Sequence, residues 1–222
     1  MAAIAVLTLY RPPHDLPSRT TSRIKGLLPR EWGLIVLAGI AWGVFNTGYV
    51  VYLSFGPSML EAQGMSALAA ASVISVGSWL MILSGTACGQ IADRFGRRET
   101  ILAVCMTGAV LALMLLSFQG IGLAASLLFG LVGMAPAGII MALAGQAVAP
   151  ERRAFGMGVF LTVYYAIMTA SPPVAGWLLD RTGAPDSAIL LGAALFALVL
   201  PVAVMFRMLK TGAAPEPIKE TA

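Results

Sequence analysis

The sequence predicts an all-α membrane protein whose six transmembrane helices form an inverted three-plus-three repeat. Three observations carry this prediction. Hydrophobic residues make up 59% of the 222-residue chain and charged residues only 11%, with a mean hydropathy of +0.87. A soluble domain carries about 25% charged residues, so this chain cannot cover a water-facing surface of its size. The charges are confined to short boundaries between apolar runs of spanning length. A turn of the form Gly-x-x-x-Asp-Arg-x-Gly also occurs twice, from Gly89 to Gly96 and from Gly176 to Gly183, 87 residues apart.

Taken in order, Ala2 to Tyr10 is apolar but far short of the ~20 residues a spanning helix needs. It lacks the leading positive charge and small-residue cleavage site of a signal peptide. The expectation is the last two turns of a helix whose beginning is missing. Arg11, Arg19, Arg23, Lys25 and Arg30 then mark a basic, proline-bearing linker that closes at Glu31. His14, the only histidine, falls in this linker and is poorly placed for a proton relay. Residues 1–31 form one region in this reading, 32–210 the bundle and 211–222 a disordered cytoplasmic tail carrying Pro215 and Pro217.

The first span is expected over 32–55, closing at Gly56-Pro57 because the residue before proline is biased away from helical geometry. A short loop from Pro57 to Ser66 carries only Glu61, and the second span takes 67–92. From Thr100 to Pro150 there are 51 residues without a formal charge, too many for one helix of ~20 to 25 residues. Gln119-Gly120 divides them into a third span over 100–118 and a fourth over 121–148. The fifth runs over 154–179, between Glu151-Arg152-Arg153 and Asp180-Arg181, and the sixth over 187–206.

Six crossings sort the basic residues. Thirteen of the fourteen Lys and Arg fall at one end of the bundle and Arg181 alone at the other, which predicts that both termini lie in the cytoplasm. Three spans separate the two Gly-x-x-x-Asp-Arg-x-Gly turns, so they sit on opposite faces, as an inverted repeat requires. Net charge is +4, but the basic residues flank apolar segments instead of forming a solvated patch, which argues against a nucleic-acid partner.

The densest boundary packs Asp93, Arg94, Arg97, Arg98 and Glu99 into seven residues. Gly89, Asp93 and Arg97 follow at spacings of four, so a helix that ran on through the turn would place them on one face. The carboxylate and guanidinium could then pair with each other or bind the exposed end of a neighbouring helix. Gly89, Asp93, Arg94, Gly96, Arg97 and Arg98 together resemble the signature loop of the major facilitator superfamily, which joins the second and third helices of each six-helix half. The length of the chain fits only one half, and the resemblance is to the carboxyl-terminal one. It implies transport of a small solute by alternating access, with a second six-helix half as partner: the missing amino-terminal half, a separate chain or a second copy in a homodimer. It also implies that Asp93 and Arg97 hold a closed state by meeting the start of the fifth span near Arg153 and Phe155. An inert fragment, or a six-helix subunit that only scaffolds a partner, is the alternative.

In that family the first and fourth helices of each half line the central cavity and the second and fifth flank it. Trp42, Asn46, Tyr49 and Tyr52 recur at helical spacing on the first span. An amide such as Asn46 at mid-span must find a partner in hydrocarbon, so this stripe is the leading candidate for substrate contact. Interhelical hydrogen bonding without a ligand accounts for it equally well. On the fifth span, Thr162, Tyr165 and Thr169 precede Pro172-Pro173, where hydroxyls could satisfy the carbonyls that the prolines release; contact with substrate is the other reading, with Tyr165 a further substrate-cavity candidate. Met134, Pro136, Gly138 and Met141 suggest a flexible, closely packed fourth helix, Gln146 is its only amide, and the Ser72, Ser75 and Trp79 face of the second span is expected to pack.

No Asp, Glu, Lys or Arg lies inside a span. Such a group costs ~2.5 to 3.5 kcal/mol at mid-membrane and marks ion coupling where it occurs. A proton-coupled carrier would therefore hold its titrating group in the other half, and a uniporter or a carrier of neutral solutes fits as well. Cys88 and Cys105 lie in apolar runs without metal-ligand or CxxC spacing. No catalytic cluster, metal site or cofactor is expected, and the partners are the lipid bilayer of a cell inner membrane and a small solute.

Overall fold

The computed structural model describes residues 26–212, and the expectations for the amino-terminal helix end, most of the basic linker, His14 and the carboxyl-terminal tail lie outside them. The described residues form α1 (Pro29–Ala62), α2 (Ala67–Phe95), α3 (Arg98–Leu116), α4 (Gly122–Val132), α5 (Ala137–Ala147), α6 (Arg153–Thr182) and α7 (Asp186–Thr211), with a 3-10 turn over Pro150–Arg152. There is no strand among them. The pair α4 and α5 makes the fourth span, so six segments are long and apolar enough to cross a membrane.

The first span is the hub. α1 packs most extensively on α7 and α6, then on α5 and α2, while α3 packs on α4 and α7. Small residues let it approach its neighbours. A Cβ at Gly39 would lie 2.9 Å from Val163 Cβ, and one at Gly43 2.9 Å from Ile167 Cδ1, so this Gly-x-x-x-Gly pair is the groove that seats α6. A string of rings fills the centre: Phe45 meets Phe196 edge-on at 5.8 Å, Phe196 meets Phe129 at 5.5 Å, and Phe129 lies 4.1 Å from Tyr52. Ring pairs of this kind add to the area they bury.

Three element ends differ from the sequence expectation, each for a physical reason. α1 does not stop at Gly56-Pro57 but continues to Ala62. The extra turn buries Met59 and Leu60, and Gln63 Nε2 donates to the Leu116 carbonyl at the end of α3, 2.8 Å away. Packing on a neighbouring helix thus outweighs the one backbone bond that Pro57 removes. α1 also starts before the predicted span, at Pro29, which puts Glu31 in its first turn and not in a linker. The fourth span is broken: Val132 ends α4, Gly133 to Pro136 are not helical, and α5 resumes at Ala137. Pro136 has no N–H to offer the Val132 carbonyl.

The repeated turn is a structural repeat as well. Gly96 closes α2 at φ +65° with its N–H on Ala92 O, and Gly183 closes α6 at φ +63° with its N–H on Leu179 O. Both use the left-handed region where glycine pays no Cβ penalty. Two helices that precede equivalent turns, three spans apart, therefore end in the same way at opposite ends of the bundle.

Candidate functional site

The sequence-predicted residues fall into two places. At mid-bundle, α1, α2 and the break in the fourth span enclose an open cleft of about 610 Å³, lined by Tyr49 and Leu53, by Ile74, Ser75, Ser78, Trp79, Met81 and Ile82, and by Met134. No charged side chain lines it. Trp79 is 74% exposed, so the second-span face expected to pack is open at this residue and at Ser75. Ser78 donates to Ile74 O at 2.9 Å, which satisfies its proton within α2 and leaves its oxygen as an acceptor.

The first-span stripe divides. Tyr49 stays on the cleft wall. Asn46 donates to Trp42 O of its own helix at 2.8 Å, so its amide N–H is met locally and not by another helix. Trp42 turns towards α6, where its ring lies 6.5 Å from Tyr164, and Tyr164 in turn lies 4.6 Å from the exposed Tyr165. Tyr164 had no place among the sequence candidates, although the Gly39-x-x-x-Gly43 groove was a signal for which face of α6 meets α1. Tyr52 leaves the stripe altogether: it is 1% exposed and packed on Phe129 in the core.

On α6 the hydroxyls do not relieve the prolines as expected. Pro172 and Pro173 leave the Met168 and Thr169 carbonyls without their usual donors, yet Thr162 donates to Gly158 O at 2.9 Å and Ser171 to Ile167 O at 2.8 Å. Ser171 also reaches Thr47 of α1 at 3.4 Å.

The second place is the charged end. Because Gly96 ends α2 in the left-handed region, the helix does not run on, and Arg97 precedes α3 at φ −88°, ψ 54° instead of sharing a helical face with Asp93. Arg98 takes that carboxylate at 3.1 Å, with side chains 52% and 75% exposed for Arg98 and Asp93. Gly89 has open space where a side chain would lie. The expected contact with the start of the fifth span is not formed: Phe155 packs edge-on against Trp32 at 6.0 Å, and no ion pair joins Asp93 to Arg153 among the described residues.

A half-buried ion pair holds this end together, and no local pattern around either partner announces it. Arg152 clasps Glu31 through two bonds, Nε to Oε2 at 2.7 Å and Nη2 to Oε1 at 3.0 Å. The N–H groups of Leu28 and Ala149 donate to the same carboxylate at 2.9 and 3.1 Å. Glu31 sits just outside the apolar run that begins at Trp32. Burial pushes its carboxyl up, but the hydrogen bonds from Arg152, Leu28 and Ala149 outweigh burial and bring it down to about 2. Around the clamp, Arg30 donates to the Leu209 and Lys210 carbonyls at the end of α7, Arg207 pairs with Glu99 at 2.6 Å, and Lys210 donates to Gln146 at 2.7 Å.

The described residues thus combine six spans, a fourth span unwound at its middle beside an uncharged cleft, and a glycine-aspartate-arginine turn repeated at opposite ends of the bundle. Comparison with curated proteins finds no match. A family model described as Major Facilitator Superfamily matches residues 1–172, and on that match, together with the fold, the chain belongs to the Major Facilitator Superfamily.

Proposed function

We propose that the chain is the carboxyl-terminal six-helix half of a carrier that moves a small, uncharged solute across a cell inner membrane by alternating access, with its termini and charged end in the cytoplasm. The observation that carries this reading is the cleft of about 610 Å³ beside the break at Gly133 to Pro136. Its size suits a small molecule, and unwound backbone is tolerated at membrane depth where it lines a cavity. Tyr49, Ser75, Ser78 and Trp79 offer hydroxyls, an indole N–H and aromatic faces, a set that orients a neutral solute and gives an ion nothing to neutralise it.

A second six-helix half completes the site, as the amino-terminal part of a longer protein, a separate chain or another copy of this one. The cleft is open on one side, and α2 and α6 leave Trp79, Ile82, Leu83, Tyr165 and Trp177 uncovered. α6 is the least buried of the spans. In the closed state Asp93 exchanges Arg98 for the positive end of a long helix, either α6 or its counterpart in the second half.

Uptake by membranes that carry the full-length protein, screened across solute classes with and without a proton gradient, tests this reading. Tyr49→Ala and Trp79→Ala are each expected to raise KM about tenfold, the effect of losing one aromatic contact. Asp93→Asn is expected to insert normally and to transport about tenfold more slowly or worse, the size of a lost conformational coupling. Unchanged uptake in both aromatic variants removes the cleft as the solute site, and full activity in Asp93→Asn removes the gate. Absence of uptake for every solute class favours the scaffold or fragment.

A further inference from the structure

The charged end holds a second cavity, of about 770 Å³, on the α3 side of the glycine-aspartate-arginine turn. Its walls come from the start of α3, the end of α5 and the end of α7, and they carry Arg97, Arg98, Arg207 and Lys210 against one carboxylate, Glu99. Glu99 is already neutralised by Arg207 at 2.6 Å, and Arg98 by Asp93. Arg97 and Lys210 take part in no ion pair among the described residues, so the pocket keeps a surplus of positive charge. Thr100, Gln146 and Thr211 add neutral hydrogen-bonding groups, and the floor is apolar, with Ile139, Leu143 and Phe206.

A phosphate group is the ligand this lining suits, because the unpaired guanidinium of Arg97 and the ammonium of Lys210 border one cavity together with neutral hydrogen-bonding groups. Two sources could supply it, a lipid headgroup or a soluble phosphate. The surroundings decide between them. A narrower groove of about 380 Å³ adjoins the cavity, sharing Glu99, Thr100 and Arg207, and continues between α3 and α7 along Leu102, Ala103, Leu200, Ala203 and Val204. Every residue beyond the shared three is apolar. Ala103 and Ala203 are small enough to leave a channel between the helices, and Val204 at its edge is 51% exposed. A polar chamber at the end of the apolar spans that opens into an apolar channel has the shape of a headgroup with one acyl chain.

We propose that this chamber and groove bind one anionic glycerophospholipid, its phosphate held by Arg97 and Lys210 and one acyl chain lying between α3 and α7. Basic pockets between spanning helices at the membrane boundary are suited to such headgroups. The bound lipid ties the start of α3 to the ends of α5 and α7 and bridges the two three-helix repeats.

The test is lipid binding to the purified full-length chain in neutral detergent, followed by native mass spectrometry and by thermal shift. The probes are phosphatidylglycerol, phosphatidylcholine, inorganic phosphate and glycerol 3-phosphate. Phosphatidylglycerol is expected to bind saturably and to raise the midpoint, while the two soluble phosphates neither raise it nor displace the lipid. Arg97→Gln and Lys210→Gln, both on exposed side chains, are each expected to weaken binding about fivefold, the effect of one cation at an anionic membrane surface. Val204→Trp, which fills the groove and leaves every charge in place, is expected to weaken the lipid as well. Competition by glycerol 3-phosphate as strong as by the lipid overturns the lipid assignment in favour of a free-anion site. Equal binding of phosphatidylcholine, or undiminished binding by Arg97→Gln and Lys210→Gln, overturns the site itself.

Discussion

Glu31→Gln is expected to cost about 2 kcal/mol of stability at neutral pH, because it leaves the half-buried Arg152 guanidinium without its counter-charge. The side chains of Arg152 and Glu31 are 19% and 10% exposed, well short of the open surface where ion pairs contribute little. Removing both charges together, in Glu31→Gln with Arg152→Gln, is expected to cost less than the single change, since no orphaned charge remains. The effect has a pH signature. The Glu31 carboxyl is held at about 2 in the fold against an ordinary value of 4.5, so the unfolded chain binds a proton more readily than the folded one. The contribution is therefore complete above about pH 4.5 and is lost as pH falls towards 2. Thermal unfolding of the parent and Glu31→Gln in detergent, measured from pH 7 down to pH 3, checks both the size and the sign. A difference between the two proteins that is as large at pH 3 as at pH 7 contradicts the assignment.

The clamp also ties several helix ends together. It joins the first turn of α1 to the turn between the fourth and fifth spans, and Arg30 joins the same region to the end of α7. Together these contacts tie segments from residue 30 to residue 210 at one end of the bundle.

How far the sequence disclosed these features depends on the range of the forces involved. Span number was legible because a charge-free run must reach from one membrane face to the other, a constraint written locally. The inverted turns were legible because Gly96 and Gly183 each carry a conformation that favours one residue type. Pro57 misled because the rule that ends helices before proline is a local one, whereas Leu60 in the core and Gln63 on the end of α3 hold the extra turn from outside. Pro136 marked a weak point in the fourth span, but in a wholly apolar stretch nothing local distinguishes a kink from the full break at Gly133 to Pro136. Glu31 and Arg152 are 121 residues apart, and nothing near either one announces the other. Tyr164 and Tyr165 are neighbours on one helix, about 100° apart around its axis, and only the crossing at Gly39 and Gly43 decides which of them meets Trp42.

Gly130→Ala is expected to be the most damaging of the single-methyl changes in the bundle. A Cβ there would collide with the Gly77 carbonyl of α2, and one at Gly77 would lie 2.6 Å from the Ser126 carbonyl of α4. The obstacles are backbone atoms, so no side chain can swing aside and one helix must move. Ser84 of α2 donates to the Gly130 carbonyl at 2.7 Å, and that bond is lost with the displacement. Overpacking costs about 1 to 3 kcal/mol where side chains can adjust. With the backbone in the way and a hydrogen bond gone, about 3 kcal/mol or more is expected. Gly145→Ala is the control: a Cβ there meets nothing within 4 Å, and alanine is favoured over glycine inside a helix, so stability should hold or rise by up to about 1 kcal/mol. Thermal unfolding of the two variants, with gel filtration to score the folded fraction, separates them, and equal stability would refute the backbone contact. The seam also positions the cleft, because Ser75, Ser78 and Trp79 flank Gly77 on α2 and Met134 lies one turn beyond Gly130. A shift of about 1 Å here misplaces every polar group offered to the solute, an error that costs function steeply, so whatever Gly130→Ala protein does fold should still fail in uptake.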